Sequence, residues 1–316
     1  MEIYSNKDGS VVKYLHEDGS ETCIKTVSSC NYYYNKLTNK IEENYTDRNK
    51  FSVFISSSVG CPVKCKMCYL TIKNYLFYNL SEDEIFTNVI DSIKSKIKDD
   101  ISIRNKYIKI CWMGMGDACF NLEKTYNVTL RIVDYVIKNK LAKGIDGVDI
   151  GTVLPTINID FSYISKLEDS LKNIKRNKHT NYRPLVRVFY SLHSAIPEVR
   201  KSIIPKSINN SSILNSIPTD IVLHQIFLNG INDSEENIDA LISFCKENKN
   251  FELRVLRYNS CKGSVYVESE NFIKIIRKLN DNIDNIKYQI SPGSEIKAAC
   301  GQFIMKRYVK TDYKED

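Results

Sequence analysis

The chain has 316 residues, 42% hydrophobic and 26% charged, with 45 basic against 38 acidic side chains and a formal charge of +7. That composition suits one large globular core and excludes a disordered, fibrous or small disulfide-stapled chain. No apolar run approaches the length that spans a bilayer and the polar start carries no leader pattern, so a cytoplasmic protein without membrane contact is expected.

In chain order, residues 10–27 read as a β-hairpin, because strand-type residues flank an Asp18-Gly19 turn. Residues 28–50 are polar and read as a loop, with Tyr32, Tyr33 and Tyr34 either covering a hydrophobic edge or stacking on bases. Strand-like runs follow at 52–58, 107–113, 147–153, 185–192, 221–228 and 251–258, separated by segments of helical periodicity. Two of these open on cap-like pairs, Ser81 with Glu84 and Asp233 with Glu236. Six strand-then-helix units imply an α/β fold, a parallel sheet curled into a partial (β/α)6 barrel with a small N-terminal β-hairpin extension. The expected division is 1–50 for the hairpin and polar loop and 51–316 for the barrel.

Chemistry on such a sheet gathers at the strand C-terminal ends, and the notable residues fall there. Cys61, Cys65 and Cys68 follow the first strand, "MGMGD" ends the second, "DIGT" the third, "SLH" the fourth and "YNSC" the sixth. Buried structural thiols are a poor reading of the triad, which sits in a tight loop with Pro62, Lys64 and Lys66. Zinc needs a fourth ligand, and no second C-x-x-C exists. Three thiolates suit a [4Fe–4S] cluster whose remaining iron binds S-adenosylmethionine (SAM), so that electron transfer can cleave the sulfonium and release a carbon radical.

The segments "SSSVGCPVKCKMC", "NLSEDEI", "WMGMGDACFNL", "VLPTI", "SLHSAIPEVRKSIIP", "LNGINDSEENI" and "EIKAACGQF" carry a resemblance to a known family. From about residue 10 to the C-terminus the chain resembles the RlmN/Cfr radical-SAM methyltransferases, which modify carbon 2 or carbon 8 of an adenine in large-subunit ribosomal RNA. The resemblance implies cluster ligation by Cys61, Cys65 and Cys68. It implies cofactor contacts from Gly116, Asp117, Asp149, Ser191, Leu192, His193 and Asn259. Cys300 would carry the methyl group and Glu21 would accept a proton. The partners implied are RNA, ribosomal or transfer, and a low-potential donor such as flavodoxin or ferredoxin.

In that family a second cysteine, seven residues before the first cluster cysteine, attacks the methyl-carrying sulfur to free the product, leaving a disulfide. Phe54 stands at that position here. Cys261, Cys119 and Cys23 are candidate substitutes, with inert thiol as the alternative for each. Other departures are Ala118 in place of the family's proline, an insertion between Glu21 and the first strand, and the expected lack of the family's helical N-terminal domain. The alternative outcome is a radical-SAM enzyme that abstracts hydrogen from, or forms an adduct with, a peptide or small metabolite.

Overall fold

A computed structural model describes residues 1–27, 32–43, 49–208, 211–260, 263–299 and 301–305. Near the N-terminus come β1 (Glu2–Ser5), β2 (Val11–Leu15), β3 (Glu21–Lys25), β4 (Tyr32–Asn35), β5 (Lys40–Glu43) and β6 (Lys50–Phe54). The short β7 (Ser58–Val59) and β8 (Tyr78–Asn79) pair with each other around the cysteine loop and the one-turn α1 (Tyr69–Ile72). Alternation then sets in: α2 (Glu82–Asp99), β9 (Tyr107–Trp112), α3 (Leu122–Lys138), β10 (Gly144–Thr152), α4 (Ser162–Leu171), β11 (Val186–Ser191) and α5 (Pro197–Ile203). It ends with β12 (Ile221–Gln225), α6 (Glu235–Glu247), β13 (Glu252–Leu256), α7 (Phe272–Asn280) and β14 (Ile286–Gln289).

Twelve of these strands form one mixed sheet in the order β1-β2-β3-β6-β9-β10-β11-β12-β13-β14-β4-β5. Strands β6 and β9 to β14 run parallel. Antiparallel strands close both edges, β3 on β6 and β4 on β14. The central strands are buried along their length, as "YIKICW" of β9 is, because helices cover one face and the opposite face is enclosed. The helices show why they dock: α2 buries Ile85, Val89, Ile93 and Ile97 on one stripe, and its Ser81–Glu84 capping box satisfies first-turn amides. No helix among the described residues is long and apolar enough to cross a membrane.

Three expectations change. Residues 32–43 are not a polar loop but the antiparallel pair β4–β5, because the tyrosines are strand formers with an apolar edge to cover. Tyr34 is buried against the main core and donates its hydroxyl to Asn39 Oδ1 at 2.6 Å, while Tyr33 stays 43% exposed. A seventh parallel strand, β14, is present; "IKYQ" is too short and polar to register as an apolar run. The α6 cap is Ser234 instead of Asp233, whose carboxylate accepts from Gly230 N at 2.9 Å and Ser269 Oγ at 2.6 Å.

Candidate active site

The enclosed face of the sheet holds two adjoining cavities. The upper, of about 220 Å³, lies at the C-terminal ends of the parallel strands and the lower, of about 270 Å³, toward their starts. Lys25, Phe54, Met113, Phe189, His224 and Gln289 line both and form the layer between them.

The upper cavity collects Gly116 and Asp117 after β9, Thr152 at the end of β10 and Ser191 at the end of β11. Glu21 of β3 and, near the C-terminus, Ala298, Ala299, Gly301, Gln302 and Phe303 close it. Gly116 has φ +89°, and a Cβ there would lie 2.4 Å from Ser57 Oγ and 2.3 Å from Ser58 Oγ, so only glycine permits this approach. The Asp117 carboxylate accepts from Thr152 Oγ1 at 2.9 Å, Val153 N at 2.8 Å and Cys119 N at 2.9 Å, tying the β9 and β10 ends together. Burial pushes its pKa up to about 6 against the pull of those donors.

The cysteine loop stands beside this cavity. Cys61 and Cys68 pack with Leu70, Met115 and Phe303, and Phe303 is itself on the cavity wall. Gly60, φ +67°, opens the loop, and a Cβ on it would fall 1.9 Å from Leu76 O. Lys66 N donates to Ile203 O at 2.9 Å and Tyr258 Oη to Met67 O at 2.9 Å, so α5 and the segment after β13 both grip the loop. Burial raises the Cys61 pKa to about 12 and Cys65 well above the usual thiol value; the charges of the other loop cysteines and Asp117 push the same way, while Arg200 opposes for Cys65. The three thiols therefore share one electrostatic neighbourhood.

No three His, Cys, Asp or Glu side chains among the described residues converge tightly enough for a single ion. A four-iron cluster places its three thiolates on three different irons, and its positive irons remove the penalty of ionising buried thiols. The donor set fits such a cluster. His193, in a left-handed conformation at φ +57°, has a buried Nδ1 with no hydrogen-bond partner among the described residues, but it is on neither cavity wall. Burial, with Arg200 adding, lowers its pKa to about 3, so the imidazole is neutral.

Not all expected residues converge. Asp149 faces the lower cavity, where its carboxylate is engaged by Lys109 and by Arg187 at 3.5 Å. Burial alone would raise its pKa, but Lys109 and Arg187 hold it well below the usual carboxylate range. Leu192 is a buried core residue whose carbonyl accepts from Arg200. Asn259 follows Tyr258 beside the cysteine loop and is on neither cavity wall. Cys300 and Cys261 lie outside the described residues.

The sequence reading missed two cations. Arg200 of α5, 2% exposed, donates to Tyr190 Oη at 2.9 Å, Leu192 O at 3.2 Å and Val153 O at 2.9 Å, fastening the β10 and β11 ends behind Cys65. Lys13 of β2, 3% exposed, pairs with Glu21 Oε2 at 2.6 Å and donates to Lys297 O at 2.6 Å and Gln302 O at 3.0 Å. Glu21 Oε1 accepts from Ile304 N at 2.6 Å and Met305 N at 3.2 Å. Positively charged residues in otherwise apolar stretches were the available signal.

No family model matches the chain. It is similar to the "Probable dual-specificity RNA methyltransferase RlmN" of Flavobacterium psychrophilum, 27% identical over 80% of this chain and 69% of that one. It is also similar to the "Dual-specificity RNA methyltransferase RlmN" of Campylobacter jejuni, 28% identical over 94% of this chain and 78% of that one. The chain is an RlmN/Cfr-like radical-SAM methyltransferase. The crystal structure of a radical SAM methyltransferase from Sphaerobacter thermophilus shares the fold, with a TM-score of 0.66 at 18% identity, covering 97% of this chain and 81% of that one. For this RlmN/Cfr-like enzyme the implied cofactors are a [4Fe–4S] cluster and SAM, and methyl transfer is favoured over hydrogen abstraction or adduct formation as the outcome.

Proposed function

We propose that this enzyme methylates an sp2 carbon of an adenine in RNA, with Cys300 as the methyl carrier. The observation that carries the reading is the upper cavity. Glu21 and the residues on either side of Cys300 in sequence, Ala299 and Gly301, line the same wall space as Gly116, Asp117 and Ser191, next to the cysteine loop.

Cys61, Cys65 and Cys68 would hold the cluster, and bound there with SAM it supplies the one-electron chemistry that an unreactive aromatic carbon requires. The chain's own residues do the rest. Gly116 and Ser191 leave room for SAM, and Asp117 and Arg200 fix the strand ends that border it. Asn259 would contact the cofactor from beyond β13. Glu21, proposed as proton acceptor, is 4% exposed on the cavity wall.

The finer architecture is a sheet curled into a partial barrel, with 1–50 as an N-terminal extension. The lower cavity supports the curl, since Lys50, Lys109, Asp149, Arg187, His224, Arg254 and Lys287, one from each parallel strand, all line it. The electron donor would be flavodoxin or ferredoxin. A cytoplasmic location accords with the absence of a disulfide among the described cysteines.

Anaerobically reconstituted protein should add one methyl to Cys300 when given SAM, read by peptide mass spectrometry. With dithionite and an adenosine-containing RNA it should yield 5′-deoxyadenosine and methyladenosine. Methylated Cys300 without methyladenosine would discard RNA as substrate; an unmodified Cys300 would discard the carrier.

A further inference from the structure

We propose that Cys23 is the second redox thiol of this site, one strand away from the position that Phe54 occupies. The inference rests on the reading of Cys300 as methyl carrier.

Three placements support it. In the antiparallel β3–β6 pair, Cys23 is the direct partner of Phe54. Residues directly opposite point to the same face about 5 Å apart, so a thiol moved from position 54 to position 23 still enters the same space. Both side chains do line the upper cavity. Along β3, Cys23 and Glu21 are two residues apart and therefore also share a face, and both are buried on that wall. Finally, Cys23 packs in one cluster with Ala298 and Ile296, and Ala298, Ala299 and Gly301 bound the same cavity.

The other described thiols outside the cysteine loop are placed differently. Cys119 is 2% exposed in the main core and borders neither cavity. Cys111 borders the lower cavity, and Cys245 packs on α6 in the outer core. Burial, with Glu21 adding, raises the Cys23 pKa, while Lys25 and Lys13, the cations that clamp the C-terminal segment, pull the other way. On the same wall Gln302 Oε1 is buried without a donor among the described residues, a vacancy suited to an amino group on a ligand.

The step balances without an outside oxidant. Once the ring proton has gone to a base, the substrate is a thioether, ring–CH2–S–Cys300. The Cys23 thiolate attacks the Cys300 sulfur, an S–S bond forms and the S–CH2 bond breaks. The electron pair passes to the carbon and ring, where a proton completes the methyl group. Two thiols are oxidised by two electrons and the carbon is reduced by two; a dithiol reductant then reopens the disulfide.

The first test is thiol mapping of the intact, anaerobically purified chain treated with diamide, alkylated and digested. A Cys23–Cys300 peptide pair is expected. Cys300 linked to Cys119 or Cys261, or left unlinked, overturns the proposal. The second is turnover of reconstituted enzyme on an adenosine-containing RNA. Cys23→Val should lower methyl transfer by at least ~100-fold and accumulate an RNA–protein adduct, with Cys300 methylation intact. Adding Phe54→Cys to that variant should restore turnover, and Cys119→Ala should leave it unchanged. Full activity in Cys23→Val, or equal loss in Cys119→Ala, overturns the assignment. Cys300 methylation is read separately in every variant, so failure of the carrier itself is distinguishable.

Discussion

The two cavities share six lining residues yet use charge in different ways. In the lower one, charged groups answer each other: Lys109 and Arg187 meet Asp149, and Arg254 and Lys287 meet Glu252. Lys109, Arg187 and Arg254 also surround the Phe189 ring, 5.8, 4.9 and 4.9 Å from its centroid. In the upper one, beside the Lys13–Glu21 pair, charged groups hold backbone. Lys13 and Lys25 bind carbonyls of the C-terminal segment, Glu21 its amides, Asp117 the β10 end and Arg200 two strand-end carbonyls. Ion pairs fill the space between strands; backbone contacts leave space open while fixing its walls. That is the difference between a core and a site that must admit ligands.

Breaking the upper arrangement at its metal ligands should have the largest effect. Alanine at Cys61, Cys65 or Cys68 should abolish iron–sulfur absorption and 5′-deoxyadenosine formation while circular dichroism stays unchanged. Arg200→Met strips donors from Val153 O, Leu192 O and Tyr190 Oη, and should cost about 3 kcal/mol in denaturant unfolding. Gly116→Ala should cost about 1–3 kcal/mol and weaken SAM binding, measured by equilibrium dialysis, because its Cβ meets two serine hydroxyls. Lys13→Met should speed hydrogen exchange at the Ile304 and Met305 amides by about tenfold, since Glu21 then loses its ion-pair partner.

The smallest effect on turnover tests the lower cavity. Burial would raise the Glu252 pKa, but Arg254 and Lys287 overcome it and hold it down to about 2. A depressed carboxylate contributes stability above its unfolded pKa of about 4.5 that is lost as pH falls through about 2. Glu252→Gln should therefore leave activity unchanged, and its stability deficit against the parent chain should shrink over that interval in acid-unfolding curves.

Much of the fold was legible because parallel strands buried on both faces leave unbroken apolar runs, and six of them stand out. Strand β14 did not, since Lys287 and Gln289 are half its length and point to the lower cavity. The β4–β5 pair was hidden because polar side chains flank the tyrosines that cover the edge. In the site, the cysteine loop, Gly116, Asp117 and Ser191 were readable as strand-end residues. Asp149 sits on the same face as Gly151 of β10, two residues earlier, but one level lower, a distinction of depth that a linear pattern does not carry.

By itself the sequence determined the ligand chemistry and the strand–helix alternation, because both are local: three thiols within eight residues, and periodicities within a dozen. Only the tertiary structure decided which groups act together. Lys13 meets the backbone of residues 297 and 302 across more than 280 positions, and Cys23 faces Phe54 through a pairing set by sheet order. Contacts between distant strands depend on register and on which edge the hairpin joins, and these are fixed by packing the whole sheet, not by any one segment of it.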